Sequence, residues 1–278
     1  MAAALALFNT ISSIVFDVVL APIGHGRPWF DLFVWPILAG VVALLVYKRI
    51  SNQAGITRAK NGIAVHLLEV VLFKDDLRVV LPATAKALGK NALYLGYNIV
   101  PMVVMFAPMT MILVQLVSNY AYAPLPVGST TMFVVKLDAD MAGAVSPRDV
   151  TLTLPEGVSL DAPPVRTADG EIAWRLRLDT AGDHVLSVAA GGTTETKIVA
   201  VGGEPRKVPV LRTKGWEALL YPAEAVPAGD SPIERLSIDR ADRDLGWLPS
   251  GEGGILGWFF GFSLLAGFAL KDRFGVTL

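Results

Sequence analysis

The chain has 278 residues, 53% of them hydrophobic and only 18% charged, with a formal net charge of −1. Soluble domains carry about 25% charged residues, and the shortfall here is local, because no Asp, Glu, Lys or Arg falls between Asp31 and Lys48 or between Lys90 and Lys136. Such gaps point to bilayer contact, and the absence of cysteine excludes disulfides, zinc–thiolate sites and a cysteine nucleophile.

Residues 1–28 carry Leu5, Phe8, Ile11, Ile14 or Val15, and Val18 at steps of three and four, with Asn9, Ser13 and Asp17 on the other side. The pattern predicts an amphipathic helix lying in a membrane interface. A signal peptide is the rival reading, against which stand Asp17 and the lack of a basic leading segment. Residues 29–48 form the first expected span, flanked by Trp29 and Trp35 at one end and by Tyr47, Lys48 and Arg49 at the other.

Residues 48–91 hold eight basic side chains against Glu69, Asp75 and Asp76, a net of +5. Ile56, Ala59, Ile63, Leu67 and Val70 mark one helical face, and Leu77, Leu81 and Leu88 a second. Asp75-Asp76 fits a turn and helix cap between them. Two antiparallel helices projecting about 30 Å are expected. Pro82 demands a kink or a late start near Leu81. Residues 92–119 form the second span, containing Pro101 and Pro108.

Residues 120–203 read as short β-strands, 130–138, 149–154, 171–179, 184–190 and 194–201, separated by Gly-containing turns. They predict an extracytoplasmic immunoglobulin-like β-sandwich. Residues 204–252, rich in Pro and charge, read as an irregular return segment. Residues 253–278 supply the third span and a tail with Lys271 and Arg273. Counting basic residues in short loops places residues 49–91 and the C-terminus in the cytoplasm and the N-terminus outside. The expected fold is therefore an α-helical membrane protein with three transmembrane helices, an interfacial helix, a cytoplasmic helical hairpin and an inserted β-sandwich. The expected location is the plasma (bacterial inner) membrane.

Conventional catalytic signals are weak: His25, His66 and His184 fall in separate segments, and no phosphate loop or nucleophile elbow is present. No enzyme activity, metal or cofactor is expected. Direct binding of nucleic acid is not expected either, since the positive-inside rule already accounts for the basic loop. Polar residues inside apolar sequence are more telling, because lipid cannot satisfy them. Asn98, Thr110, Gln115 and Ser263 are the candidates to line a hydrophilic groove open to the cytoplasm, with ordinary interhelical hydrogen bonding as the plainer alternative.

The order of interfacial helix, span, basic hairpin, proline-containing span, external segment and last span resembles the YidC-like insertase superfamily, which includes the insertase subunit of the endoplasmic-reticulum membrane complex. YKRISNQAGITRAK (47–60) looks like the start of that family's hairpin, and LGYNIVPMVVMFAPMTMILVQL (95–116) like its second core span. The resemblance covers roughly residues 5–120 and 253–275 and is closest to the reduced three-span members. Bacterial members hold an arginine in the first core span, and this chain has none there. The resemblance implies a membrane-protein insertase or membrane chaperone. Met102, Met105, Met109 and Met111 would contact substrate helices, and Arg58 and Lys60 would receive them on the hairpin. Implied partners are the lipid bilayer, nascent or hydrophobic membrane proteins, and a ribosome or translocation machinery. The competing expectation is a membrane-anchored scaffold whose β-sandwich binds an extracytoplasmic protein.

Overall fold

The computed structural model describes residues 7, 14, 27–138, 145–203 and 206–276. The expected interfacial helix lies outside the described residues apart from Leu7 and Ile14, both helical and exposed. The described chain divides into two units, one of residues 27–32 and Ile112–Gly257, the other of Phe33–Met111 and residues 258–276.

Among the described residues, three helices are long and apolar enough to cross a membrane. Helix α1, Pro28–Ile50, starts on a proline whose missing N–H would be unpaired in a first turn anyway. A short break leads to α2, Gln53–Leu72, capped by Asn52, whose side-chain oxygen accepts the Gly55 N–H at 2.9 Å. After a turn, Asp76 accepts the Arg78 N–H at 2.9 Å and opens α3, Leu77–Tyr120.

The expected hairpin helix and second span are one helix of 44 residues, about 66 Å long. Pro82 lies inside it, so the late start near Leu81 is corrected. A proline at the sixth helical position forfeits one backbone bond, to the carbonyl of Arg78 one turn from the helix start. Helix α4, Gly251–Phe274, closes the chain, and Lys48 donates to its terminal Phe274 carbonyl at 2.6 Å. In the helical unit, a Cβ built on Gly40 would stand 2.3 Å from the Ser263 carbonyl, so only glycine permits this approach of α1 to α4. Phe33 packs edge-on against Trp258 and Phe262, with ring centroids 5.1 and 4.8 Å away.

The other unit carries eight described strands. They are β1 Thr130–Leu137, β2 Thr151–Thr153, β3 Val158–Arg166, β4 Glu171–Leu178, β5 Gly182–Ala190, β6 Thr193–Val201, β7 Leu211–Thr213 and β8 Ile233–Ile238. One sheet has the order β3-β4-β1-β8-β7, the other β2-β5-β6, and the pairs are antiparallel. Alternate residues of β1 and β4 are buried, as period-2 burial of one face requires. Phe133 stacks on its register partner Trp174 at 5.7 Å, and Leu186, Val188, Val199 and Leu236 join the same core. Gly191 and Gly192, with φ of 55° and 81°, make the tight β5–β6 turn, which needs positive φ at both positions.

The irregular reading of residues 204–252 is corrected by β7 and β8, since β8 is paired on both sides, with β1 and with β7. The reason is a bulge: Lys136 pairs with Arg235 but Leu137 with Ile233, so Glu234 is skipped and the inward residues are three apart, not two. Strand β3 is likewise hidden by two register shifts and by Pro163-Pro164, which also blunt it as a sheet edge. At the β6 edge, Glu224 accepts the Ile198 N–H at 2.7 Å and pairs with Lys197, which is fully buried. Arg212 meets Glu195 at 2.7 Å alongside. Burial holds the Lys197 ammonium down to about 8, against the upward pull of Glu224.

Candidate functional site

An open cleft of about 400 Å³ lies in the helical unit. Each wall is one face of one helix. Helix α1 contributes Gly40, Ala43, Leu44 and Tyr47, and α4 contributes Ser263, Leu264, Gly267 and Phe268. Helix α3 contributes Tyr94, Leu95, Asn98, Met102, Met105 and Met109. At 100° per residue, positions 98, 102, 105 and 109 fall on one narrow stripe, so the three methionines and Asn98 share a wall.

The cleft brings together Asn98 and Ser263 from the expected groove-lining set, and Met102, Met105 and Met109 from the expected contact set. It omits Thr110, Gln115 and Met111. Relative to Asn98, position 110 is turned by about 120° and position 115 by about 100° the other way, off the stripe. Gln115 is fully buried in the other unit, where its carbonyl oxygen accepts from Lys207 Nζ at 2.9 Å. Thr110 and Met111 are half-buried on α3. Arg58 and Lys60 are exposed on α2 and do not line the cleft; Arg58 Nε donates to the Ala54 carbonyl at 3.3 Å.

The lining is overwhelmingly carbon. Three of its polar side chains bond within the chain. The Tyr47 hydroxyl donates to Asn98 Oδ1, and Asn98 Nδ2 donates to the Tyr94 carbonyl at 2.7 Å. Ser263 Oγ donates to the Phe260 carbonyl at 3.1 Å. Buried polar groups pair in this way because an unmet donor or acceptor is costly away from water. Tyr47 escapes a search for polar residues because an aromatic beside Lys48 and Arg49 already has an explanation as an interfacial anchor. Neutral hydroxyls, an amide and thioethers offer no acid–base pair, and among the described residues no three His, Asp or Glu side chains gather as metal ligands. What this surface can do is hold something apolar. Methionine's three rotatable bonds and polarisable sulfur let such a wall adapt to different shapes.

Fold and cleft together define a class: a protein with three helices long and apolar enough to cross a membrane, an open cleft on helix faces, and a separate β-sheet domain. Compared with known proteins, no family model matches the chain, and neither a curated protein nor a solved structure does.

Proposed function

We propose that the chain is a YidC-like membrane chaperone and insertase of the plasma (bacterial inner) membrane, and that the cleft receives the apolar face of a client helix. The observation that carries this reading is the methionine stripe on α3, open in a cleft lined mostly by carbon. In hydrocarbon, helices associate by close packing and hydrogen bonding rather than by the hydrophobic effect. A surface that packs without demanding specific partners suits clients of varied sequence.

Further support comes from the α2–α3 turn, where Val71, Leu72, Phe73 and Leu77 are exposed beside Lys74 and Arg78. This apolar tip on a basic hairpin suits first contact with a hydrophobic segment. Basic residues in the short loops support a cytoplasmic hairpin and C-terminus with the β domain outside. We also read the two antiparallel sheets, which share one core, as an immunoglobulin-like sandwich.

A photo-crosslinking amino acid at Met105, in cells making short hydrophobic proteins, tests the reading. Newly made membrane helices are trapped from position 105 and not from position 111, which lies off the cleft. Equal trapping from both positions, or none from 105, rejects a client-binding cleft.

A further inference from the structure

In the unit that carries the β domain, two adjoining cavities of about 10 and 80 Å³ share Val117, Tyr221 and Glu252 in their walls. The smaller is also lined by Ser118 and Tyr122. The larger is walled by Leu113, Val114, Leu220 and Leu256. Glu252 belongs to the first turn of α4, where a carboxylate suits the positive end of the helix dipole. That accounts for the residue type but not for its surroundings. Glu252 Oε2 accepts from the Tyr221 hydroxyl at 3.4 Å, and the Tyr122 phenol lines the same small cavity beside this carboxyl group. Oε1 is buried and meets no donor of the chain. Among the described residues, no Lys, Arg or His forms an ion pair with Glu252.

Burial, then the charge of Glu252, push the Tyr221 phenol up to about 12 and raise that of Tyr122 as well. Both phenols therefore stay protonated near neutrality and carry no charge to meet the Glu252 carboxyl group. One carboxylate oxygen is left facing an unfilled demand for a donor, and preferably for a positive one. The shape narrows the choice. The small cavity has room for one water-sized group, which an –NH3+ fits and a trimethylammonium does not. The larger cavity beside it is lined by aliphatic carbon and suits a short methylene stem.

We propose that this pocket binds a primary ammonium carried on a short apolar stem, the ammonium donating to Glu252 Oε1 and the stem lying among Leu113, Val114, Leu220 and Leu256. A lysine side chain of a polypeptide and a free alkylamine both carry this chemistry. The proposal stands on this pocket alone and survives failure of the client-binding cleft.

The test uses the full chain in detergent at neutral pH, with n-butylammonium chloride as probe and n-butanol and tetramethylammonium chloride as controls. n-Butylammonium raises the unfolding temperature saturably, whereas the neutral alcohol and the bulky cation do not. Glu252→Gln, which keeps the shape and removes the charge, weakens apparent n-butylammonium binding by roughly tenfold or more. Butanol acting as well as the amine, or Glu252→Gln binding the amine undiminished, overturns the proposal and leaves an apolar void. Should Glu252→Gln fail to fold, the three-probe comparison on the unsubstituted chain decides alone. A hydrophobic peptide with one lysine, set against its norleucine twin, then separates the sources. Competition by the lysine peptide assigns the site to a side chain, and competition by free amines alone assigns it to small molecules.

Discussion

In the β domain, Phe133, Trp174, Leu176 and Leu236 are buried, while Arg175, Arg177 and Asp179 face outward. In the helical unit the polarity runs the other way. Val103, Phe106 and Leu265 are each more than 60% exposed, while Tyr47, Asn98 and Ser263 turn inward and bond to the chain. A sheet in water hides carbon and shows charge. A helix in hydrocarbon has no reason to hide carbon and every reason to satisfy its polar groups within the protein. The contrast is the one that two solvents would produce, and it can be broken at either end.

The largest effect is expected in the β domain, from Glu224→Ala. Lys197 is fully buried, and removing its partner leaves an ammonium with no counter-charge and the Ile198 N–H with no acceptor. Breaking a buried pair from one side costs about 3–5 kcal/mol, measured by denaturant unfolding of the full chain followed through Trp174 fluorescence. A loss under about 1 kcal/mol means that water reaches the pair, and that this part of the domain is less sealed than its neighbours Val199 and Val201.

A smaller effect is expected for Leu265→Arg on the exposed face of α4. A charge at the centre of a spanning helix costs about 2.5–3.5 kcal/mol on insertion scales, read from the inserted fraction in a glycosylation-tag assay. The control is Val185→Arg on β5, a site 48% exposed, where a surface change in water stays within about 0.5 kcal/mol. If the two substitutions cost the same, the exposed leucines of α4 face water and the two-solvent comparison collapses.

What the amino-acid order made legible follows the same division. Long charge-free stretches announce helices apolar enough to cross a membrane, so α1 and α4 were readable to within a few residues, whereas for α3 only the apolar second half was, and its fusion with the hairpin helix was not. Strands β1 and β4 were readable because each keeps a strict alternation between one wet and one dry face, and β5 and β6 because they are rich in β-branched residues and flank a Gly-Gly turn. Strands β3 and β8 were not, because bulges shift their register midway and alternation is the only local signal a strand gives. The cleft was half legible. Asn98, Ser263 and three methionines were picked for polarity or flexibility. Thr110, Gln115 and Met111 stand out for the same reasons but do not share a helical phase with Asn98. That phase was available from the numbering. The pairing of Tyr47 with Asn98 was not, because it joins two helices 51 residues apart.

The smallest effect, from Tyr47→Phe, says most about the cleft. The substitution removes the hydroxyl that donates to Asn98 Oδ1 and leaves the bond from Nδ2 to the Tyr94 carbonyl in place. Interhelical hydrogen bonds in membranes average about 0.6 kcal/mol, because separated helices find other partners. A loss near that value in a detergent unfolding assay means that water enters the cleft and takes over from the lost hydroxyl. A loss of about 1–3 kcal/mol means that Oδ1 is stranded in a dry site. Adding Asn98→Leu distinguishes the two cases. In a dry cleft the double variant recovers stability relative to Tyr47→Phe alone, since no unmet acceptor remains. In a wet cleft it recovers none. A dry cleft suits a chaperone that shelters apolar helices, whereas a wet one also gives a polar flank a hydrated place to cross.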